Sequence, residues 1–399
     1  MAKKKRSKKS LTNPTEVERF FLGLRQTAAG ITVTPKNAME CVAVRCAVQV
    51  ICEPTGQLPV HTYKRNADGS KARAPDHPAE KLLNGAANEW LPSNEFREIV
   101  TRDALLHGNG YAFILREDGK PAELHRLDPC HVKVEVDAAT KLPVYLYECD
   151  GQKEEYAHTD IIHIRAPSFD GVVGDSPVHL ARDAIALSLS MERHAGTLFK
   201  NFGKPGGVIS VPTELGDEVA ERMAKSWNNS NSGENSGGTA VLESGATYAA
   251  VTMTAVDAQL IDMRRFAIEE IGRVYRVPPI FLGDYGRATW SNNESQGSQL
   301  VTYCLMAWIK RWQGELQLKL LDEDEREKFY FEFLIDDLLR ADTAARYEAY
   351  SKAIASRILN PNEVRSRENL APYAGGEIYA NPNTTPAKTP ASQPEKAAA

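Results

Sequence analysis

One unbroken series of signals between Thr254 and Ser298 constrains the fold more than any other stretch of this chain. Thr254 is placed to cap a helix, with Asp257 three residues on as an imperfect capping box. Apolar residues then recur at Val256, Leu260, Met263, Ala267, Ile271 and Val274, a spacing of three or four that predicts one apolar helix face. Pro278 and Pro279 predict its stop, because neither has a backbone donor and each biases its predecessor away from helix. From Gly283 to Asn292 no apolar period buries Tyr285, Arg287 or Trp290, which predicts a mobile loop. A second helix is expected over Asn293 to Leu321, with no proline to break it.

Upstream, residues 1–36 read as a basic, flexible arm with a short helix over Val17 to Leu24. Asn37 to Pro54 predicts a helix ended by its proline, with Gly56 just beyond. Short strands are expected at Leu58 to Lys64, Ala112 to Arg116, His131 to Val136, Val144 to Glu148 and Ile161 to Ile164. Among them sits a helix from Ser93 to His107, ended at Gly108-Asn109-Gly110, so residues 37–170 predict an α+β unit. Ser176 is a good cap and Pro177 suits the first helical position. The helix they open is expected to run to Gly203, spanning about 39 Å.

Residues 205–252 then predict a small α/β insert. Its strands fall at Val208 to Val211, Thr239 to Leu242 and Thr247 to Met253, its helix at Leu215 to Trp227, and a flexible Ser/Asn/Gly loop at Asn228 to Gly238. The insert carries six acids, Glu214, Asp217, Glu218, Glu221, Glu234 and Glu243, against two bases. Two long helices therefore flank an acidic insert expected at their far end. After the second of them, Phe329 to Ile335 alternates as a strand expected to rejoin the first unit. Ala341 to Asn369 gives two helices broken at Asn360-Pro361, and residues from about 375 read as a disordered tail.

Charge and motifs narrow the function classes. Net charge is −5, and residues 1–10 alone carry six Lys or Arg and no acid, which leaves −11 on the remainder. Tight duplex binding draws on neutralised phosphates, so an acidic body argues against gripping DNA but not against DNA passing by. No run of about 18 apolar residues predicts a membrane span, and MAKKKRSKKS lacks the apolar segment of a secretory signal. The six cysteines, at 41, 46, 52, 130, 149 and 304, match neither a zinc pattern nor a disulfide framework, and those at 41, 46 and 52 are expected to pack on a helix.

There is no GxxxxGK[ST] loop, HExxH, CxxC pair, EF-hand pattern or GxSxG elbow. No catalytic, cofactor or metal residue is therefore assigned. His158 and His163 fit solvent contact or hydrogen bonding, and Asp257, Asp262, Glu269 and Glu270 fit a solvated helix face with Arg264 and Arg265 as partners.

A further set of motifs recurs in a particular order. It comprises His77-Pro78 with Leu82-Leu83-Asn84, Gly108-Asn109-Gly110-Tyr111-Ala112, Leu127-Asp128-Pro129, Ile161-Ile162-His163 and Gly174-Asp175-Ser176-Pro177. It continues with Val277-Pro278-Pro279, Leu282-Gly283, Asn293-Glu294, Leu339-Arg340-Ala341-Asp342 and Asn362-Glu363-Val364-Arg365. Each is weak alone. In this order, over roughly residues 37–376, they resemble the portal proteins of tailed bacteriophages. Trp290-Ser291-Asn292 stands where similar portals carry a Tyr-Ser-Asn-like version, an aromatic-for-aromatic change.

The resemblance implies a ring-forming α+β portal fold: wing 37–175, stem helices 176–204 and 254–278, α/β clip 205–253, and tunnel-loop region 279–293. Return helix and wing strand would fill 294–340, a short helical crown 341–374 and a tail 375–399. Channel residues would be Asp284, Tyr285, Arg287, Thr289, Trp290 and Ser291, with Arg264, Arg265 and Glu269 on the stem and the six acids on the clip surface. For Trp290, anchoring the loop on its own subunit is the alternative. Implied partners are further copies in a dodecameric ring, large terminase, head–tail adaptor, major capsid protein or scaffold, and double-stranded DNA, with no cofactor and no membrane. Two other classes compete: a DNA-processing enzyme of the packaging machinery, and a monomeric ligand-binding α+β protein.

Overall fold

A computed structural model describes residues 27–200, 207–212, 216–231, 245–250, 255–285, 296–335, 343–368 and 370–381. Residues 27–36, expected in a flexible arm, are ordered: Thr34 caps a four-residue helix, α1 (Pro35–Ala38), through a reciprocal box with Asn37. Ile31 and Val33 lie against the core. The expected helix at Val17 to Leu24 lies outside the described residues.

The central element is α2 (Val42–Gln57), which buries Val44, Ala47, Val48, Ile51 and Cys52. It runs through Pro54 instead of stopping there. So near the helix end the missing donor costs a single bond, and the exposed carbonyls find another partner: Arg97 donates to Gly56 O at 2.6 Å and Leu58 O at 3.0 Å. Gly56 is likewise inside the helix, and the position requires glycine, since a Cβ there would stand 2.6 Å from the Asn94 carbonyl oxygen. Strands β1 (Val60–Arg65) and β2 (Lys71–Arg73) follow, then α3 (Pro78–Asn84) and α4 (Ser93–His107). Gly108 ends α4 in the left-handed region at φ +85°.

Asn109 and Gly110, expected to belong to that helix stop, instead open β3 (Asn109–Glu117). Then come β4 (Lys120–Leu127), β5 (Val132–Val136), β6 (Pro143–Cys149), β7 (Gln152–Ala157) and β8 (Ile161–Arg165). Every pairing is antiparallel, in sheets ordered β4-β3-β8 and β5-β6-β7. Strands β2, β4 and β7 and helix α3 were not anticipated as elements. They are short or polar, and each of the three strands is the second arm of a hairpin with the strand just before it.

Ser176 caps a short helix, α5 (Pro177–Leu180), by accepting from His179 N–H at 3.1 Å. The expected single rod is thus interrupted at Ala181 before α6 (Arg182–Lys200). In the insert, β9 (Gly207–Ser210) pairs with β10 (Thr247–Ala250), separated by α7 (Asp217–Asn231). Helix α7 takes in residues 228–231 of the expected flexible loop. The expected strand at Thr239 to Leu242 lies outside the described residues.

Helix α8 (Ala255–Tyr275) packs on α6 and α2. Its buried face is Ala267, Ile271 and Tyr275, whereas Met263 and Val274 of the expected stripe are 48% and 39% exposed. The helix carries apolar groups on two sides, and packing on α2 and α6 decides which side is inside.

After a 3-10 turn (Pro279–Leu282), residues 296–299 are helical, Leu300–Leu305 is a π-helix and α9 (Met306–Leu320) continues it. Beyond α10 (Glu323–Arg326), β11 (Phe329–Phe333) pairs with β1, from Val60↔Phe333 to Lys64↔Phe329. The last strand therefore returns to the first unit, as its alternation predicts.

Helices α11 (Thr343–Ala355) and α12 (Pro361–Arg367) end the described helices, the second capped by Asn360. Residues 375–381, expected in a disordered tail, fold back on α12, where Tyr379 donates to Glu363 at 2.7 Å. One large core cluster joins α2, α4, α6, α8 and α9 to sheets β11-β1-β2 and β4-β3-β8. A smaller aromatic cluster around Tyr111, Tyr145 and Ile161 holds the β5-β6-β7 sheet. Among the described residues no helix is long and apolar enough to cross a membrane.

Candidate functional site

The end of α8 directs the chain into the loop. Arg276, not the following prolines, is the stop: it adopts φ +58°, its N–H donates to Arg273 O at 3.3 Å, and Val277 N–H donates to Gly272 O at 2.9 Å. That pair of bonds is a Schellman motif, here built on an arginine where glycine is usual. Gly272 is required beside it, since a Cβ there would stand 2.9 Å from Val277 O. The Tyr275 carbonyl accepts from Cys304 Sγ at 3.3 Å, which ties the helix end to the π-helix.

Between the two helices opens a cleft of about 550 Å³. Glu269, Gly272, Arg273 and Arg276 line one wall, and Gln296, Gln299 and Tyr303 the other. Glu269 pairs with Arg273 at 3.0 Å, correcting the expectation that Arg264 and Arg265 would be its partners. One turn along the helix suits this pairing better. Arg273 also lies over the Phe266 ring at 5.4 Å. Beyond the lining, on α9, Arg311 stacks on Trp308 at 4.9 Å. Burial lowers its pKa first, and the positive field of Arg276 lowers it further. Tyr303 is 68% exposed at the mouth.

The cleft thus offers guanidinium and amide donors to an anionic or polar group. Among the described residues no group of three or more His, Cys, Asp or Glu is arranged to hold a metal.

The cleft lies where the chain enters and leaves residues 286–295. Of the expected channel residues, Asp284 is half-buried and Tyr285 is exposed. Arg287, Thr289, Trp290 and Ser291 lie outside the described residues. On α8, Arg264 and Arg265 are exposed. On α7, Asp217, Glu218 and Glu221 are exposed, and Glu221 pairs with Lys225 at 2.8 Å; Glu214, Glu234 and Glu243 lie outside the described residues. Sequence reasoning missed Arg276, Tyr303 and Arg311. Nothing local marks an arginine for a left-handed stop, and only the return of the chain through residues 296–311 brings Tyr303 and Arg311 near it.

Of the two expectations for His163, solvent contact or hydrogen bonding, the structure shows hydrogen bonding. It is buried between Asn109 and Tyr145, with Nε2 2.9 Å from Asn109 Oδ1 and Nδ1 3.1 Å from the Tyr145 hydroxyl. Asn109 Oδ1 already accepts from Gly174 N–H at 2.7 Å. The consistent tautomer therefore donates from Nε2 and accepts at Nδ1. Burial, with the nearby positive Arg165 and Lys319, lowers the pKa well below its ordinary value and keeps the ring neutral.

Comparison with known proteins places this architecture. The sequence matches the family described as phage portal protein over residues 42–369. It is 28% identical to the portal protein of Enterobacteria phage HK97 over 357 residues, covering 87% of this chain and 82% of that one. In fold it is similar to a chain from the neck of an empty gene transfer agent particle computed with C6 symmetry. The TM-score is 0.64 at 22% identity, covering 90% of this chain and 94% of that chain. It is also similar to a chain from the neck of the native particle computed with C12 symmetry, with TM-score 0.60 at 21% identity, covering 90% of this chain and 100% of that chain.

Proposed function

The chain belongs to the phage portal protein family, and from that premise we propose that twelve copies close into a ring at one vertex of a capsid. Double-stranded DNA passes through this ring during packaging and again during ejection. The large terminase docks on it first and the head–tail adaptor later, while major capsid protein or scaffold holds its rim. The protein assembles in the host cytoplasm and ends in the virion. The count of twelve follows the similar chain in the neck particle computed with C12 symmetry.

The observation that carries this reading is the paired helices α6 and α8, the second turned by Arg276 into the segment 286–295 and answered by α9. In such a ring these helices form the stem, and Tyr285, Arg287, Thr289, Trp290 and Ser291, with Asp284 at their base, form a belt around the channel. Residues 37–175 with β11 form the wing, 205–253 the clip and 341–374 the crown. Cyclic symmetry repeats each inward side chain around the hole. A net negative body repels phosphate, so DNA slides where a basic lining would hold it. The acidic face of α7, with Glu214, Glu234 and Glu243, is the outward surface offered to terminase and adaptor.

Mass photometry and negative-stain imaging of the purified protein test the ring. Annular particles of about half a megadalton are expected. Compact single copies at high concentration, even after co-expression with capsid protein, overturn the reading. For the channel, Tyr285→Ala with Trp290→Ala is expected to leave ring assembly intact and to lower the DNA content of assembled particles. Unchanged content removes the loop from the conduit.

A further inference from the structure

Two backbone irregularities stand on opposite walls of the cleft at the end of α8. On one wall Arg276 holds φ +58°, a conformation that strains any residue with a β-carbon. On the other lies Tyr303, within the π-helix Leu300–Leu305, whose closing bond runs from Met306 N–H to Val301 O, five residues back. Short π-helices are rare and frequent at functional sites, as strained non-glycine backbones are. Here each irregularity presents an exposed polar side chain to the same space.

Charge around this space is unbalanced. Glu269, the carboxylate of the lining, is paired with Arg273 at 3.0 Å. Among the described residues neither Arg276 nor Arg311 forms an ion pair with a carboxylate. The field of Arg276 nevertheless reaches α9 and the turn before it. Burial lowers the Arg311 pKa and Arg276 lowers it further; burial pushes the Cys304 thiol up to about 12, and Arg276 acts against that rise. Two guanidinium charges therefore add in one region. The amides of Gln296 and Gln299 and the hydroxyl of Tyr303 supply neutral donors on the wall opposite Arg276.

A carboxylate has two oxygens, which a single guanidinium fork can satisfy. A tetrahedral oxyanion points its oxygens several ways and suits donors placed on two walls. A phosphate dianion also matches two positive charges that no carboxylate offsets. The cavity of about 550 Å³ has room for it.

We propose that this cleft seats a phosphate group, held by Arg276 at the end of α8 and by Gln296, Gln299 and Tyr303 on the returning helix, with Arg311 adding its charge. The bound anion ties the end of α8 to the return helix. It is a property of the single chain and stands apart from the ring reading above.

Inorganic phosphate is the probe, in isothermal titration calorimetry and in thermal melts at an ionic strength held constant with sodium chloride. Saturable binding of one phosphate per chain and a higher melting midpoint are expected. Arg276→Gln is expected to weaken binding about tenfold or more, as loss of a charge-assisted hydrogen bond implies, and Tyr303→Phe by a smaller factor. Arg276→Gly relaxes the backbone, so it is expected to melt above the unsubstituted protein without phosphate and to gain nothing when phosphate is added. Those opposite responses separate a lost ligand from a lost fold. A short DNA duplex titrated into phosphate-loaded protein identifies the source: displacement assigns the seat to a nucleic-acid phosphate, and no displacement to free phosphate. An equal phosphate response in the unsubstituted protein and Arg276→Gln overturns the site, because exclusion of phosphate from the protein surface stabilises both alike. An equal shift with acetate overturns it too. Rings without phosphate binding overturn this seat alone, and phosphate binding without rings overturns the ring reading alone.

Discussion

The indole nitrogen of Trp312 donates to the hydroxyl of Thr101 at 2.9 Å, joining helices α9 and α4 across 211 residues of sequence. Both side chains are completely buried. The Thr101 hydroxyl in turn donates to the Arg97 carbonyl at 2.7 Å. The bond fixes the return helix against the first α+β unit at a point where no water can substitute.

Thr101→Val keeps the shape and removes the acceptor, leaving a buried indole N–H unpaired. The expected cost is about 1–3 kcal/mol in urea unfolding. A change within a few tenths of that unit would show that the indole finds another acceptor.

Gly174 and Gly108 meet through their backbones, and a Cβ on Gly174 would collide with the Gly108 carbonyl oxygen. Gly174→Ala is therefore expected to destabilise by about 1–3 kcal/mol and to raise hydrogen exchange in residues 166–175. Gly171→Ala meets no neighbour. It carries only the penalty of its left-handed φ of +76°, about 1–2 kcal/mol, without the clash.

Burial holds the His163 pKa well below its ordinary value near 6.5. A base whose folded pKa is depressed contributes full stability above its unfolded pKa and loses it as pH falls toward the folded value, because the unfolded chain takes up the proton first. His107, also lowered chiefly by burial, adds the same sign. Unfolding midpoints are expected to drop as pH falls from 7 to 5, and His163→Gln is expected to flatten that slope. An unchanged slope in the variant would move the effect to other groups.

Arg276 carries a left-handed backbone that glycine adopts without strain. Arg276→Gly is expected to stabilise the folded chain by about 0.5–1 kcal/mol, read as a higher thermal midpoint. It also takes positive charge from the cleft and relieves Arg311, whose pKa Arg276 lowers. Loss of stability instead would show that the guanidinium holds the cleft together.

Much of the architecture can be read along the chain, because local chemistry is sufficient for it. Helix α4 has its start at Ser93 and its left-handed stop at Gly108 where the residue types put them. The alternation of Phe329 to Phe333 returns it to β1, and the order of rod, loop and return rod around residues 283–293 already carried the family resemblance. Residue types and periods determine these features because caps, stops and half-buried strands are set by neighbours a few positions away.

Tertiary structure decided the rest. Pro54 stays inside α2 because Arg97, over forty positions on, satisfies the carbonyls that follow it. Met263 and Val274 face out, while Ala267 and Ile271 face in, because α2 and α6 lie on one side of a helix apolar on two. Arg276 and Tyr303 line one cleft only because the helical segment 296–303 comes back beside the end of α8. Each of these depends on which groups distant parts of the chain bring into hydrogen-bonding or packing distance, and no local spacing encodes that.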